Sequence, residues 1–330
     1  MPTIAYYLIS LVSVFISTAL LTRYIIPKLK SMKVGQKILD IGPRWHKGKE
    51  NTPTMGGIVF LVTVTLACIA LGAIASVEYS FEYILPLVLT LLFSLANGAI
   101  GIVDDLTKLK KKQNEGLTPR QKIVLQLTFA AAYIALMKLY GVIDTSLYIP
   151  FFDVSVDLGI LYYFFAILVC LGTVNCVNLT DGIDGLASSV TMIAGAFFAV
   201  AAFKYDLISS VILAGAISGV TLGFLVYNFY PAKIFMGDTG SLFLGALVCG
   251  SAFMIGNPLI IVLVGFIYAF EGLSVILQVS SYKLRHGKRI FKMTPIHHHF
   301  EQCGWSELKI VAVASIVTAI LSCVAFFGLK

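Results

Sequence analysis

The chain has 330 residues, 58% of them apolar and only 12% charged, with a net charge of +7 and a mean hydropathy of +0.91. Soluble domains carry about 25% charged residues, so this composition excludes a water-soluble fold and defines an integral membrane protein. A charge of +7 would suit a nucleic-acid partner, but its distribution argues against one.

A bilayer core about 30 Å thick takes roughly 20 apolar residues per helix. Ten such runs are predicted, at 4–26, 55–77, 81–103, 123–140, 158–177, 183–203, 207–230, 241–255, 259–279 and 308–329. The chain therefore reads as one all-α membrane domain over residues 1–330, with about ten transmembrane helices. With alternate loops on alternate sides, one side receives 21 of the 24 basic residues, and only Lys138, Lys204 and Lys330 fall opposite. By the positive-inside rule the basic side is cytoplasmic and both termini lie outside. The first run lacks a basic leader and a small-residue cleavage site, so it is expected to stay as helix one. Six cysteines without Cys-x-x-Cys spacing point to neither a disulfide nor a zinc site.

In chain order, the first polar segment runs Arg44-Trp45-His46-Lys47-Gly48-Lys49 and then Asn51-Thr52-Pro53-Thr54-Met55-Gly56-Gly57. Proline and glycine there are expected to leave backbone amides open to an anion, although a basic topogenic loop accounts for the same residues. Helix three is predicted to close on Asp104-Asp105, where the helix dipole disfavours negative charge, so a bound cation suggests itself beside a solvated acidic pair. Side chains at i and i+1 project about 100° apart, so one aspartate can face a metal while the other faces elsewhere. Residues 141–157 alternate around Tyr148-Ile149-Pro150-Phe151 and predict a small hairpin on the outer side. Asn178, Asp181 and Asp184 recur at three-residue spacing and would share one face if helical, with helix capping as the plainer role for one acid. Gly215, Gly219 and Gly223 form a small-xxx-small run for close packing, within or between subunits. Gly237-Asp238-Thr239-Gly240-Ser241 opens a helix of about 15 residues. His297-His298-His299 stand in the last basic segment, where adjacent rings point apart and suit phosphate contact and proton handling better than a shared metal.

All these polar islands fall on the basic side. Bare carboxylates repel phosphate, but Mg²⁺ held by one or two of them reverses the field and bridges diphosphate oxygens. A nucleotide sugar from the cytoplasm and a lipid phosphate from the bilayer would meet there. Exchange of one phosphoanhydride for another is nearly neutral, so positioning and charge neutralisation suffice, in keeping with the absence of a Walker-type loop.

Thr52-Pro53-Thr54-Met55-Gly56-Gly57, Asp104-Asp105, the stretch from Asn178 through Asp181 and Asp184 to Leu186, Gly237-Asp238-Thr239-Gly240-Ser241 and Pro295-Ile296-His297-His298-His299-Phe300-Glu301 together resemble the polyprenyl-phosphate N-acetylhexosamine-phosphate transferases. Within them, the Thr-Pro-Thr-Met-Gly-Gly turn and the triple histidine resemble the phospho-N-acetylmuramoyl-pentapeptide-transferase branch. The resemblance implies transfer of phospho-MurNAc-pentapeptide from UDP-MurNAc-pentapeptide to undecaprenyl phosphate, giving lipid I and UMP. It also implies a bacterial cytoplasmic membrane location, Mg²⁺ and a homodimer. By motif position it implies Asp238 as the principal metal ligand, joined by Asp104, with Asp104, Asp105, Asp238 and His297 catalytic. Lys49, Thr54, Asn178, Asp181, Asp184, Phe235, Gln278, His298 and His299 would bind substrate. Asn51 departs from the family's usual glycine. Two rivals remain: a sibling transferase using UDP-GlcNAc, and a transporter, whose acids would lie near the bilayer midplane.

Overall fold

The computed structural model describes residues 1–31, 49, 52–111 and 116–330. The basic stretch Arg44 to Gly48, Asn51 and Lys112 lie outside the described residues. Among those described, nine helices are long and apolar enough to cross a membrane: α1 (Thr3–Ser31), α2 (Ile58–Tyr79), α3 (Leu85–Lys111), α4 (Pro119–Leu139), α5 (Leu161–Thr180), α6 (Leu186–Lys204), α7 (Ile208–Asn228), α8 (Gly237–Met254) and α12 (Glu307–Phe327). The tenth predicted run is broken. A short segment containing α9 (Ile261–Val264) meets α10 (Phe266–Leu284) at Gly265 with an 83° bend, so the straight crossing expected over 259–279 is corrected to a kinked pair. A short α11 (Ile296–Gln302) carries the three histidines.

The predicted hairpin is present. β1 (Ser146–Ile149) pairs antiparallel with β2 (Val154–Asp157), Ser146 opposite Asp157. It lies at the end of the bundle that also holds both termini, where an added Cβ on Gly328 would touch Phe151 and Pro150, and the N-terminal amine bonds Glu78 at 2.7 Å.

Helix α7 is the central post. Its small residues face α1, as an added Cβ on Gly215, Gly219 or Gly223 would lie 2.5–2.7 Å from the Tyr7, Leu11 or Phe15 carbonyl oxygen. The small-xxx-small run thus serves packing within the chain. Ser10 adds a hydrogen bond to the Ile212 carbonyl oxygen at 2.8 Å. In a bilayer no hydrophobic force draws helices together, so close van der Waals approach and such interhelical bonds must do so.

Glycine also joins the helices that build the polar mouth. A Cβ on Gly57, just before α2, would overlap the Gly240 backbone, and one on Gly101 of α3 would overlap the backbone of Asp238 and Thr239. Helices α2, α3 and α8 therefore meet backbone on backbone at the start of α8.

Two sequence expectations are corrected here. Helix α3 runs on to Lys111, so Asp104 and Asp105 lie within the helix, not at its C-terminus, and the dipole penalty inferred for them does not apply. Residues 181–185 form a turn between α5 and α6, so Asp181 and Asp184 do not share a helical face.

Candidate metal and phosphate site

The site forms where α3 and α8 cross. Asp105 stands one turn after Gly101, on the face that touches α8, and its carboxylate caps that helix. It accepts the Thr239 N–H at 3.0 Å, the Thr239 hydroxyl at 2.7 Å and the Asp238 N–H at 3.3 Å. A helix N-terminus offers unpaired N–H groups and the positive end of a dipole, which is why an acid settles there. Gly237 begins the helix at φ +70°, and a Cβ there would crowd the Asp105 carboxylate and the Thr54 hydroxyl.

Asp104, one residue earlier, is rotated toward α4. It accepts the Leu117 N–H at 2.7 Å and pairs with Lys108, one turn on, at 2.7 Å. Asp238 completes the group: Lys108 reaches it at 3.0 Å, Lys122 of α4 at 2.6 Å, and the Asn178 amide donates to it at 2.8 Å. Asn178 also donates to the Ser241 hydroxyl at 2.7 Å. Each of Asp104, Asp105 and Asp238 offers a carboxylate oxygen, all within 4.8 Å of one another. An all-oxygen donor set of three carboxylates fits a hard divalent cation such as Mg²⁺.

Asp181, half-buried in the 181–185 turn, shares this field. Removal from water first, and then the charges of Asp238, Asp105 and Asp184, push its carboxyl well above the usual carboxylate range. A raised native value means that the folded protein holds a proton which the unfolded chain has released. Stability without metal is therefore greatest below the ordinary carboxylate range and falls as pH rises through the raised value. Asp181→Asn is expected to flatten that dependence and to raise the melting temperature in chelator at about pH 8. Melting curves across pH check this, and an unchanged slope would exclude Asp181 as its source.

Lys49 and Asp184 form a second cluster. The Lys49 ammonium lies 2.7 Å from the carboxylates of Asp184 and Glu307, which expose only 2% and 8% of their side chains. Glu307 also accepts the Asp184 N–H at 3.1 Å, and Asp184 accepts the Ala232 N–H at 2.8 Å. Lys49 thereby ties together the α5–α6 turn, the segment before α8 and the start of α12. Beside it, the open amides expected in the 52–57 turn are corrected in part. The N–H groups of Gly56 and Gly57 donate to the Phe235 and Met236 carbonyl oxygens, each at 2.9 Å, and the Phe235 N–H donates to the Pro53 carbonyl at 2.8 Å.

The three histidines take different partners, although the rings of His297 and His298 pack 4.1 Å apart and do not diverge as expected. His297 approaches Glu271, His298 approaches Glu301 at 2.7 Å, and His299 accepts the Lys292 N–H at 3.1 Å. The Gln278 amide spends three hydrogen bonds on the backbone of Ile290 and Phe291.

Sequence reasoning counted Lys108 and Lys122 only as topology charges. The clue to Lys108 was its i+4 spacing from Asp104. Glu271 and Glu307 were passed over, although an acid inside the apolar run of α10 is the kind of residue that marks function.

A polytopic helical bundle with a carboxylate and lysine mouth where α3, α4 and α8 meet suits a membrane-embedded enzyme that acts on phosphorylated substrates. In agreement, residues 87–256 match the family described as Glycosyl transferase family 4. The segment 49–61 matches phospho-N-acetylmuramoyl-pentapeptide-transferase signature 1. The chain is 47% identical over 307 residues to the phospho-N-acetylmuramoyl-pentapeptide-transferase of Clostridium botulinum strain Alaska E43, covering 92% of this chain and 90% of that one. It is 45% identical over 320 residues to the enzyme of the same name from Clostridium beijerinckii, and 44% over 316 residues to that of Clostridium perfringens strain SM101, each covering 96% of this chain and 94% of the relative. The chain belongs to the phospho-N-acetylmuramoyl-pentapeptide-transferase family.

Proposed function

We propose that the protein transfers phospho-MurNAc-pentapeptide from UDP-MurNAc-pentapeptide to undecaprenyl phosphate, releasing UMP and forming lipid I for peptidoglycan. The observation that carries this reading is the convergence of Asp104, Asp105 and Asp238 within 4.8 Å, beside Lys108 and Lys122. An attacking phosphate oxygen of the lipid forms a bond to the sugar-linked phosphorus, and the anhydride bond to UMP breaks with its electrons on the departing phosphate. Both partners are anions, so the barrier is set by repulsion and alignment.

Mg²⁺, held by Asp238 and Asp104, would supply charge neutralisation for the diphosphate. Lys108 and Lys122, paired with those carboxylates, would offer their ammonium groups to phosphate oxygens. Asp105 stays as the cap of α8 and fixes the position of Asp238. A phosphate monoester has its second pKa at about 6, so the attacking group needs little help in losing its proton. Asp104 is the carboxylate that would accept any that remains. Asn178, Asp181 and Thr54 border the same mouth and contact the donor substrate, while His297, His298, His299, Gln278 and Phe235 line its approach. Asp184 and Lys49 shape the turn that carries Asp181.

The mouth faces the cytoplasm, because Arg23, Lys28, Lys30, Lys108 and Lys122 gather at its end of the bundle. The resemblance further suggests a homodimer in the bacterial inner membrane. The test supplies purified protein with UDP-MurNAc-pentapeptide, undecaprenyl phosphate and Mg²⁺ and follows UMP release, with UDP-GlcNAc in parallel. UMP release from UDP-MurNAc-pentapeptide is expected, and release from UDP-GlcNAc alone would overturn the substrate assignment. Phosphorylated enzyme trapped with the UDP substrate alone would replace direct attack by a covalent route.

A further inference from the structure

Glu271 lies in α10 and exposes only 2% of its surface. An acid in an apolar, membrane-buried helix is costly and persists where something uses its charge. Its Oε2 stands 3.0 Å from Nδ1 of His297 and 3.3 Å from the His297 N–H. An ionised carboxylate only accepts hydrogen bonds, so the bond to the ring runs from Nδ1–H to Glu271. That arrangement fixes the tautomer and directs the Nε2 lone pair to the opposite edge of the imidazole.

The opposite edge meets the site. A Cβ on Gly182 would fall on Nε2 and Cε1 of His297, so the ring abuts the residue next to Asp181. Nε2 is buried without a hydrogen-bond partner. Buried polar atoms are almost always paired, and an exception at a functional mouth asks what completes it. His298 packs on the same ring at 4.1 Å between centroids and is itself held by Glu301. The imidazole is therefore clamped on one edge and unsatisfied on the other.

We propose that Glu271 is a positioning residue for the transfer reaction. By accepting a hydrogen bond from Nδ1–H of His297 it holds Nε2 against the Asp181–Gly182 turn, where a sugar hydroxyl of the bound donor donates to it. This inference rests on the transferase reading above and adds a residue on a helix that supplies none of the site's carboxylates. Glu271 does not touch substrate. It acts through His297, much as outer carboxylates orient ligating histidines, where their loss costs about 10–100-fold in activity.

The test is a double-mutant cycle on UMP release with Glu271→Gln, His297→Ala and the double variant, together with Glu271→Asp. Glu271→Gln is expected to lower kcat by about 10–100-fold with a smaller change in KM. In the His297→Ala background it should cost nothing further, and Glu271→Asp should recover part of the rate by restoring a carboxylate. Independent losses that multiply in the double variant, wild-type kcat in Glu271→Gln, or an Asp variant no better than Gln would each overturn the proposal. Melting temperatures are taken in parallel. Should Glu271→Gln not fold, Glu271→Asp and its pair with His297→Ala carry the same cycle. Wild-type protein inactive on both sugar nucleotides would instead refute the transferase reading, so the two failures are told apart.

Discussion

Asp238→Asn is expected to lower the rate of UMP release by about 10³-fold, equivalent to roughly 4 kcal/mol of transition-state stabilisation. The substitution keeps the size of the side chain and an oxygen for the Asn178 amide, which now donates to Asp238 at 2.8 Å. What it removes is the charge that holds a divalent cation and pairs with Lys108 and Lys122. A matched control is Asp206→Asn. Asp206 lies between α6 and α7, at the end of the bundle away from the mouth, and its carboxylate accepts the Thr3 hydroxyl at 3.5 Å. Assays across a Mg²⁺ titration measure both variants. Comparable activity of the two would remove Asp238 from the metal centre.

Lys49→Met is expected to melt at an apparent temperature about 5–10 °C below the parent, reflecting a loss of roughly 3 kcal/mol. The methionine fills similar space but leaves the buried Asp184 and Glu307 carboxylates facing each other without a counter-charge. Removing one partner of a buried ion cluster costs far more than replacing the cluster as a whole. Adding Glu307→Gln to Lys49→Met should therefore recover part of the stability. The result also decides what Lys49 does. A brace lowers the melting temperature with or without substrate. A lysine whose only task is to bind the donor leaves melting unchanged and raises KM, and that outcome would return Lys49 to the substrate side of the site.

The reach of the sequence differs from one helix to the next. The nine long helices and the hairpin were legible because apolar length and period-two alternation are local properties of the chain. The break at Gly265 was not, since residues 259–279 are apolar on both sides of it and the bend depends on what α9 and α10 pack against. Helix ends were also hidden where the apolar run stops before the helix does. Leu106, Thr107 and Lys108 continue α3 past Asp105, because backbone hydrogen bonds persist after hydrophobicity fades. That single extension turns Asp105 from a strained terminal acid into a cap for another helix.

By itself the sequence determined that this is a membrane protein of about ten apolar helices, which side carries the positive charge, and which motifs hold acids of the transferase pattern. Those properties follow from composition and order along the chain, and bilayer thickness converts them directly into helices. Only the tertiary structure decided that Asp104, Asp105 and Asp238 share one mouth while Asp184 belongs to a separate cluster with Lys49 and Glu307. It also turned Lys108 and Lys122 inward and set Glu271 behind His297. The physical reason is that lipid makes every apolar helix face nearly equivalent. Partners are then chosen by where glycines let backbones touch, as Gly57 and Gly101 do at α8, and that choice cannot be read from any one helix alone.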